Sequence, residues 1–156
     1  MGKSQSTKYC YEYPRPSVTV DIVMVSSEPD PRVLLIRRKH DPFAGTWALP
    51  GGFIEMDESL EASARRELRE ETGVEVGQLE QLHTFGNPGR DPRGRTISIV
   101  YLAIVDAAKL KPQAADDAAE VDWHPLRHPP ALAFDHAEIL ACARRRLEEG
   151  VGKSRC

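Results

Sequence analysis

A chain of 156 residues with a formal net charge of −3 and a pI near 6.0 has room for one domain with a self-sustaining core, and for no second one. That charge balance excludes a protein that coats nucleic acid or lies on an anionic membrane, because no basic field or stripe is present. No run reaches 18 consecutive apolar residues, residues 1–16 lack the apolar middle of a signal peptide, and Cys10, Cys142 and Cys156 fall at no paired or metal-ligand spacing, so a cytoplasmic protein with reduced thiols is expected.

In chain order, residues 1–16 read as a polar, proline-bearing N-terminal arm. Residues 17–25 (SVTVDIVMV) and 32–39 (RVLLIRRK) read as strands rich in branched apolar side chains, separated by the turn-forming SSEPDP. A loop over 41–45 leads to a short strand at 46–49, which delivers Pro50-Gly51-Gly52. The next element is a helix: Ser59 can cap it, Glu58 and Glu61 complement its dipole, and Gly73 can end it in the left-handed conformation. Strands at 78–85 and 96–105 flank a loop over 86–95, and a short strand at 121–124 precedes an amphipathic helix over 135–148 with Ile139, Leu140, Ala143 and Leu147 inward. Mixed strands with two helices and no internal repeat predict a layered α/β/α domain over 17–149, followed by a tail of residues 150–156. Two short look-alikes carry nothing: the N-terminal Met-Gly with Ser6 is too brief to indicate myristoylation, and neither Gly-Lys-Ser, at 2–4 or 152–154, has the earlier glycine of a phosphate-binding loop.

The helix over 59–73 is the unusual element. At about 100° per residue, Glu67, Glu70 and Glu71 fall within an arc of roughly 100°, where like charges weaken a helix by a few tenths of a kcal/mol per pair. Leu60, Ala64 and Leu68 take the adjoining arc, and Glu61, Arg65 and Arg69 the far side, so the acidic cluster borders the buried face. Three carboxylates at the edge of a core suggest a hard divalent cation, Mg²⁺ above others. Arg66, four residues before Glu70 and eight after Glu58, suits the task of turning ligating oxygens toward that cation. Glu58 either supports the metal site or simply caps the helix. Gly51 and Gly52 either let the backbone approach metal and phosphates where a Cβ would intrude, or form a tight turn.

Residues 52–74, GFIEMDESLEASARRELREETGV, read as a glycine, five residues, Glu, seven residues, then Arg-Glu-Leu-x-Glu-Glu-x-Gly-Val. This segment resembles the Nudix box and is complete at every defining position. The resemblance implies a Nudix-like α/β/α sandwich with a mixed central sheet, hydrolysing a nucleoside diphosphate linked to another moiety with Mg²⁺ or Mn²⁺. It implies Glu67 and Glu71 as the most secure metal ligands, joined by Glu70 and by the Gly51 carbonyl. Similar enzymes draw the general base from the helix glutamates, here Glu70, or from an acid in a later loop. Residues 116–120 (DDAAE) offer Asp117 and Glu120 for that role, or are a solvated run of capping acids.

Recognition of the substrate must come from outside the box. Arg90, Arg93 and Arg95 share a loop stiffened by glycine and proline (GNPGRDPRGR), and their guanidinium forks suit phosphate oxygens, unless they are simply solvated. Arg37 and Arg38 end a strand so that one of them faces the site, with Arg37 taken as the contact. Trp47, Phe43 and Phe85 either stack a base or fill the core, with Trp47 the candidate carried forward. His83, His124, His128 and His136 lie at no common ligand spacing and read as structural or surface groups. The stretches PFAGTWALPGGFIEMDESL, FGNPGRDPRGRTISIVYLA and LAFDHAEIL look like the ADP-ribose pyrophosphatase branch of the family. That resemblance implies conversion of ADP-ribose to AMP and ribose 5-phosphate. Two alternatives are carried: a nucleoside triphosphate pyrophosphohydrolase that removes oxidised nucleotides, and a non-catalytic ADP-ribose sensor, which would need roughly 60 to 80 further residues for a DNA-binding module. The segment with Tyr9, Tyr11 and Tyr13 could pack across a homodimer or lie as an edge strand on its own subunit.

Overall fold

Branched apolar residues on both faces make β1 (Ser17–Ser26) the central strand of the fold, buried from Thr19 onward. In the computed structural model, which describes residues 9–115 and 117–150, it pairs in parallel with β6 along its whole length. Half of the expected arm (residues 1–8), Asp116 and nearly all of the expected tail (151–156) lie outside the described residues. The strands are β2 (Arg32–Arg38), β3 (Trp47–Ala48), β4 (Gly51–Phe53), β5 (Glu80–Phe85), β6 (Thr96–Val105) and β7 (Ala118–Pro125). They form one mixed sheet of order β3-β2-β1-β6-β5, with β4 also on β1 and β7 also on β2, every pairing except β1 with β6 being antiparallel.

Alternation along the strands divides the core into two layers. Val20, Ile22, Met24, Leu34 and Ile99 pack with Ala64 and Leu68 of α1 (Leu60–Thr72). Val23, Val25, Leu35, Val100 and Leu102 pack with Ile139, Leu140 and Ala143 of α2 (His136–Glu149). The result is the expected α/β/α sandwich. The same parity puts Thr19, Asp21, Thr96 and Ser98 on the α2 face of the sheet, as buried polar groups leading into the apolar Val23, Val25, Val100 and Leu102.

Helix α1 starts and stops where its sequence dictates. The Ser59 hydroxyl accepts the Ala62 N–H at 3.2 Å, and Gly73, at φ 69°, donates its N–H to the Arg69 carbonyl. Helix α2 differs: Asp135 stands at its N-cap but makes no side-chain cap bond. Strand β7 begins three residues before the expected 121–124 segment, because β2 offers it a ladder from Arg32, opposite Pro125, to Arg38, opposite Ala118. Strand β4 and a 3₁₀ turn at Ala107–Lys109 were not expected. Among the described residues, no helix is long and apolar enough to cross a membrane.

Candidate active site

The turn through residues 49–52 is fixed from three sides. Ile22 donates its N–H to the Pro50 carbonyl, the Leu49 N–H goes to His136 Nδ1 at 3.0 Å, and the Gly51 N–H goes to Glu71 Oε2 at 2.9 Å. Backbone leaves room only for glycine at position 51, and at 52 any larger residue must push the Glu67 carboxylate aside. A Cβ on Gly51 would fall on the Val20 carbonyl oxygen, and one on Gly52 would lie 2.5 Å from Glu67 Oε1. Two glycines therefore let β4 run directly against the buried Glu71 and the half-buried Glu67 of α1. Gly52→Ala is expected to weaken divalent-metal binding about 10-fold or more by displacing the Glu67 carboxylate. Metal titration, with far-UV circular dichroism to confirm the fold, checks this.

The carboxylates fall into two groups. Glu71 is 7% exposed and makes no ion pair among the described residues, and burial pushes its pKa up to about 8 despite the Gly51 hydrogen bond. Burial likewise raises Glu67, against the opposing pull of Arg66. Arg66 gathers the others: Nε bonds Glu58 at 2.9 Å, and Nη1 bonds both Glu67 at 2.7 Å and Glu70 at 3.1 Å. Burial works against the Arg66 charge, but the hydrogen bonds to Glu67 and Glu58 outweigh it and raise the guanidinium pKa. Glu58 is held below the usual carboxylate range by the Ser63 hydroxyl, against the effect of burial, and then by Arg66.

A cleft of about 310 Å³ opens over Glu67 and Glu71, and Asp21, Arg38, Phe53, Glu55, Arg90, Arg93, Asp117, Phe134 and His136 also line it. Its cations are held in different ways. Arg90, with a 5% exposed side chain, is forked onto Asp135 at 2.8 and 2.6 Å. Arg93 is forked onto Asp91 through Nε and Nη2 and lies over Phe53 and Phe134, 5.0 and 5.4 Å from the ring centres. Arg38 also lies over Phe134, at 5.0 Å, and gives its Nε and Nη2 to the carbonyls of Pro42 and His40. Burial, then the nearby Arg93 charge, lowers its pKa. Among the described residues, neither Arg38 Nη1 nor Arg93 Nη1 has a hydrogen-bond partner. Phe134 and its edge-to-face neighbour Phe43 are the only described non-glycine residues at positive φ, 52° and 64°. Such backbone strain clusters at ligand-binding sites.

Residues 15–141 match the NUDIX domain family. The chain belongs to that family. It is 43% identical, over 88% of its own length and 79% of the relative's, to an ADP-ribose pyrophosphatase of Methanocaldococcus jannaschii. The NUDIX domain of Shewanella oneidensis NrtR, solved with ADP ribose, superposes with a TM-score of 0.78 at 38% identity, over 86% of this chain and 90% of that one. A bifunctional NMN adenylyltransferase/ADP ribose pyrophosphatase of Francisella tularensis, solved with AMP and a Mn ion, gives a TM-score of 0.71 at 33% identity, over 89% of this chain and 43% of that one.

The Nudix box residues do not all reach the cleft. Gly52, Glu67 and Glu71 line it, as does Gly51 just before the box, whereas Glu70, with a 41% exposed side chain, and Glu58 face Arg66. Among the described residues, no three His, Cys, Asp or Glu side chains converge on one point, because Arg66 draws Glu58, Glu67 and Glu70 onto itself. The site still fits a divalent cation. Among the described residues Glu71 is a buried carboxylate with no ion pair, only the more distant Arg38 charge acting on it, an arrangement that is costly until something neutralises it, and it stands with Glu67 as a pair of oxygen donors, which hard cations prefer.

Outside the box, the structure redistributes the expected contacts. Arg37 points away from the cleft toward Glu120, at 3.3 Å, and Arg38 lines it instead. Glu120 is in the β7 ladder opposite Arg37 and not in a mobile loop, so of the two eligible acids only Asp117 borders the cleft. Trp47 packs edge-on to His124 at 4.3 Å on the core side of β3. Arg95 closes the base of its loop by bonding the Gly86 carbonyl. Of the three loop arginines, Arg90 and Arg93 line the cleft, and Arg90 is committed to Asp135. Neither Asp21 nor Phe134 is among the expected site residues, and His136, expected only as a structural or surface group, lines the cleft as well. Asp21 had a signal, as the one charged residue in the strand-forming run SVTVDIVMV.

Proposed function

We propose that this Nudix hydrolase cleaves the diphosphate of ADP-ribose to AMP and ribose 5-phosphate, with Mg²⁺ as its working ion and the cytoplasm as its place of action. The observation that carries this reading is one cleft with a pair of carboxylates, Glu71 buried and Glu67 half-buried, and two guanidiniums, Arg38 and Arg93, whose Nη1 atoms are uncommitted among the described residues. The relative named for ADP-ribose hydrolysis and the related domain solved with ADP ribose support the substrate. The related structure solved with a Mn ion supports a divalent metal. Glu67 and Glu71 would hold the metal, beside the Gly51 carbonyl, and the metal would neutralise phosphate charge and acidify a bound water. Arg66 keeps one Glu67 oxygen turned to itself and so fixes the direction of the other. Arg38 and Arg93 grip the phosphates, and Phe134 keeps the two cations in place. Asp117, on the cleft border, and Glu70, on leaving Arg66, are the acids available to take a proton from water.

Purified protein with Mg²⁺ or Mn²⁺ should release AMP from ADP-ribose. Cleavage of a nucleoside triphosphate hundreds of times faster would overturn the substrate, and tight binding of ADP-ribose without turnover would favour a sensor. Arg38→Met is expected to raise KM about 10- to 100-fold, as the loss of a charged hydrogen bond does. Arg37→Met should leave KM near that of the wild type, and steady-state kinetics on the two neighbours makes the comparison.

A further inference from the structure

Asp135 and His136, at the start of α2, are buried or nearly so, and each holds a different wall of the cleft. His136 Nδ1 accepts the Leu49 N–H at 3.0 Å, so that nitrogen carries no proton, the ring is neutral, and Nε2 carries the hydrogen. Nε2 faces Asp21 Oδ1 at 3.6 Å, while Asp21 Oδ2 takes the Ser98 hydroxyl. Leu49 opens the turn whose Gly51 N–H holds Glu71. Asp135 gives both carboxylate oxygens to Arg90, which anchors the loop that also carries Arg93. The missing cap bond of α2 has its explanation here, since the Asp135 carboxylate is directed at the loop and not at its own helix.

We infer that Asp135 and His136 are a positioning pair, which registers the arginine loop and the metal-facing turn against each other from one rigid helix end. This rests on reading Glu67 and Glu71 as the metal pair. Neither residue need touch the reacting atoms. His136 acts through Leu49 and Gly51 on Glu71, and Asp135 acts through Arg90 on Arg93.

The two arms separate by measurement. Asparagine at 136 has an acceptor where Nδ1 stands. Glutamine fills similar space but carries its acceptor farther out, leaving the Leu49 N–H unpaired, and leucine has no acceptor. Mn²⁺ binding, followed by the electron paramagnetic resonance signal of the free ion, is expected to stay within about threefold of wild type in His136→Asn and to weaken about 10-fold or more in His136→Gln and His136→Leu. Asp135→Asn should leave Mn²⁺ binding unchanged and raise KM about 10-fold at nearly constant kcat. Equal losses in the asparagine and glutamine variants, or wild-type binding in all three, would overturn the assignment. Should His136→Leu not fold, the asparagine and glutamine comparison decides alone. The metal readout does not involve ADP-ribose, so a different substrate would leave it intact. Unchanged Mn²⁺ binding in a Glu67→Gln, Glu71→Gln double variant would instead refute the metal pair itself.

Discussion

Glu71→Gln is expected to stop turnover and, at the same time, raise the melting temperature of the metal-free protein at alkaline pH. Burial pushes the Glu71 carboxyl up to about 8, against an ordinary value of 4.5. The folded protein therefore binds this proton more tightly than the unfolded chain, and stability falls as pH rises through the interval between those values. Below it, both states are protonated and the carboxyl costs nothing; above it, the full penalty of a buried charge that the Gly51 N–H and Arg38 only partly offset is present. Glutamine keeps an oxygen for the Gly51 N–H and removes the charge. The expected gain is on the order of 1 to 3 kcal/mol at pH 8.5, a few degrees of melting temperature, and close to zero at pH 4. Turnover should fall at least about 10³-fold, because a metal's stabilisation of phosphoryl charge amounts to several kcal/mol. Thermal melts in chelator at the two pH values, repeated with saturating Mg²⁺, decide it. The ion should raise the melting temperature of the wild type by mass action and leave the variant unmoved. A variant less stable than wild type at pH 8.5 in chelator would contradict the account.

What could be read from the chain follows how local each signal is. Helix α1 declared itself through its cap, its closing glycine and its charge pattern, all within one element. The α/β/α layering followed from alternation in β1, β2 and β6. Contacts fixed by pairing between distant strands were not legible. Glu120 reads as a loop acid until β7 is laid against β2, when it falls opposite Arg37 and occupies that side chain. Strand β4 holds two glycines in three residues, a poor strand by propensity, and exists because β1 offers it a partner. His136 carries no spacing signal, since its partners, Leu49 and Asp21, lie 87 and 115 positions away in sequence.

Arg90→Met tests whether the most buried arginine of the cleft is a strut or a phosphate ligand. Its guanidinium is forked onto Asp135 and lies 3.9 Å from Asp21, with burial opposing its charge and the Asp135 hydrogen bonds more than restoring it. Removing one partner of a buried pair leaves the other charge uncompensated, at about 3 to 5 kcal/mol. The lower end is expected here, because the freed Asp135 carboxylate stands at the N-terminus of α2 and can turn back to cap it. Replacing both partners, as Arg90→Met with Asp135→Leu, removes the stranded charge and should recover most of that loss in urea unfolding. It should not recover KM, because the loop carrying Arg93 would still lack its anchor. An Arg90→Met protein that unfolds like wild type and loses only substrate affinity would instead make Arg90 a phosphate ligand, with Asp135 merely its resting partner.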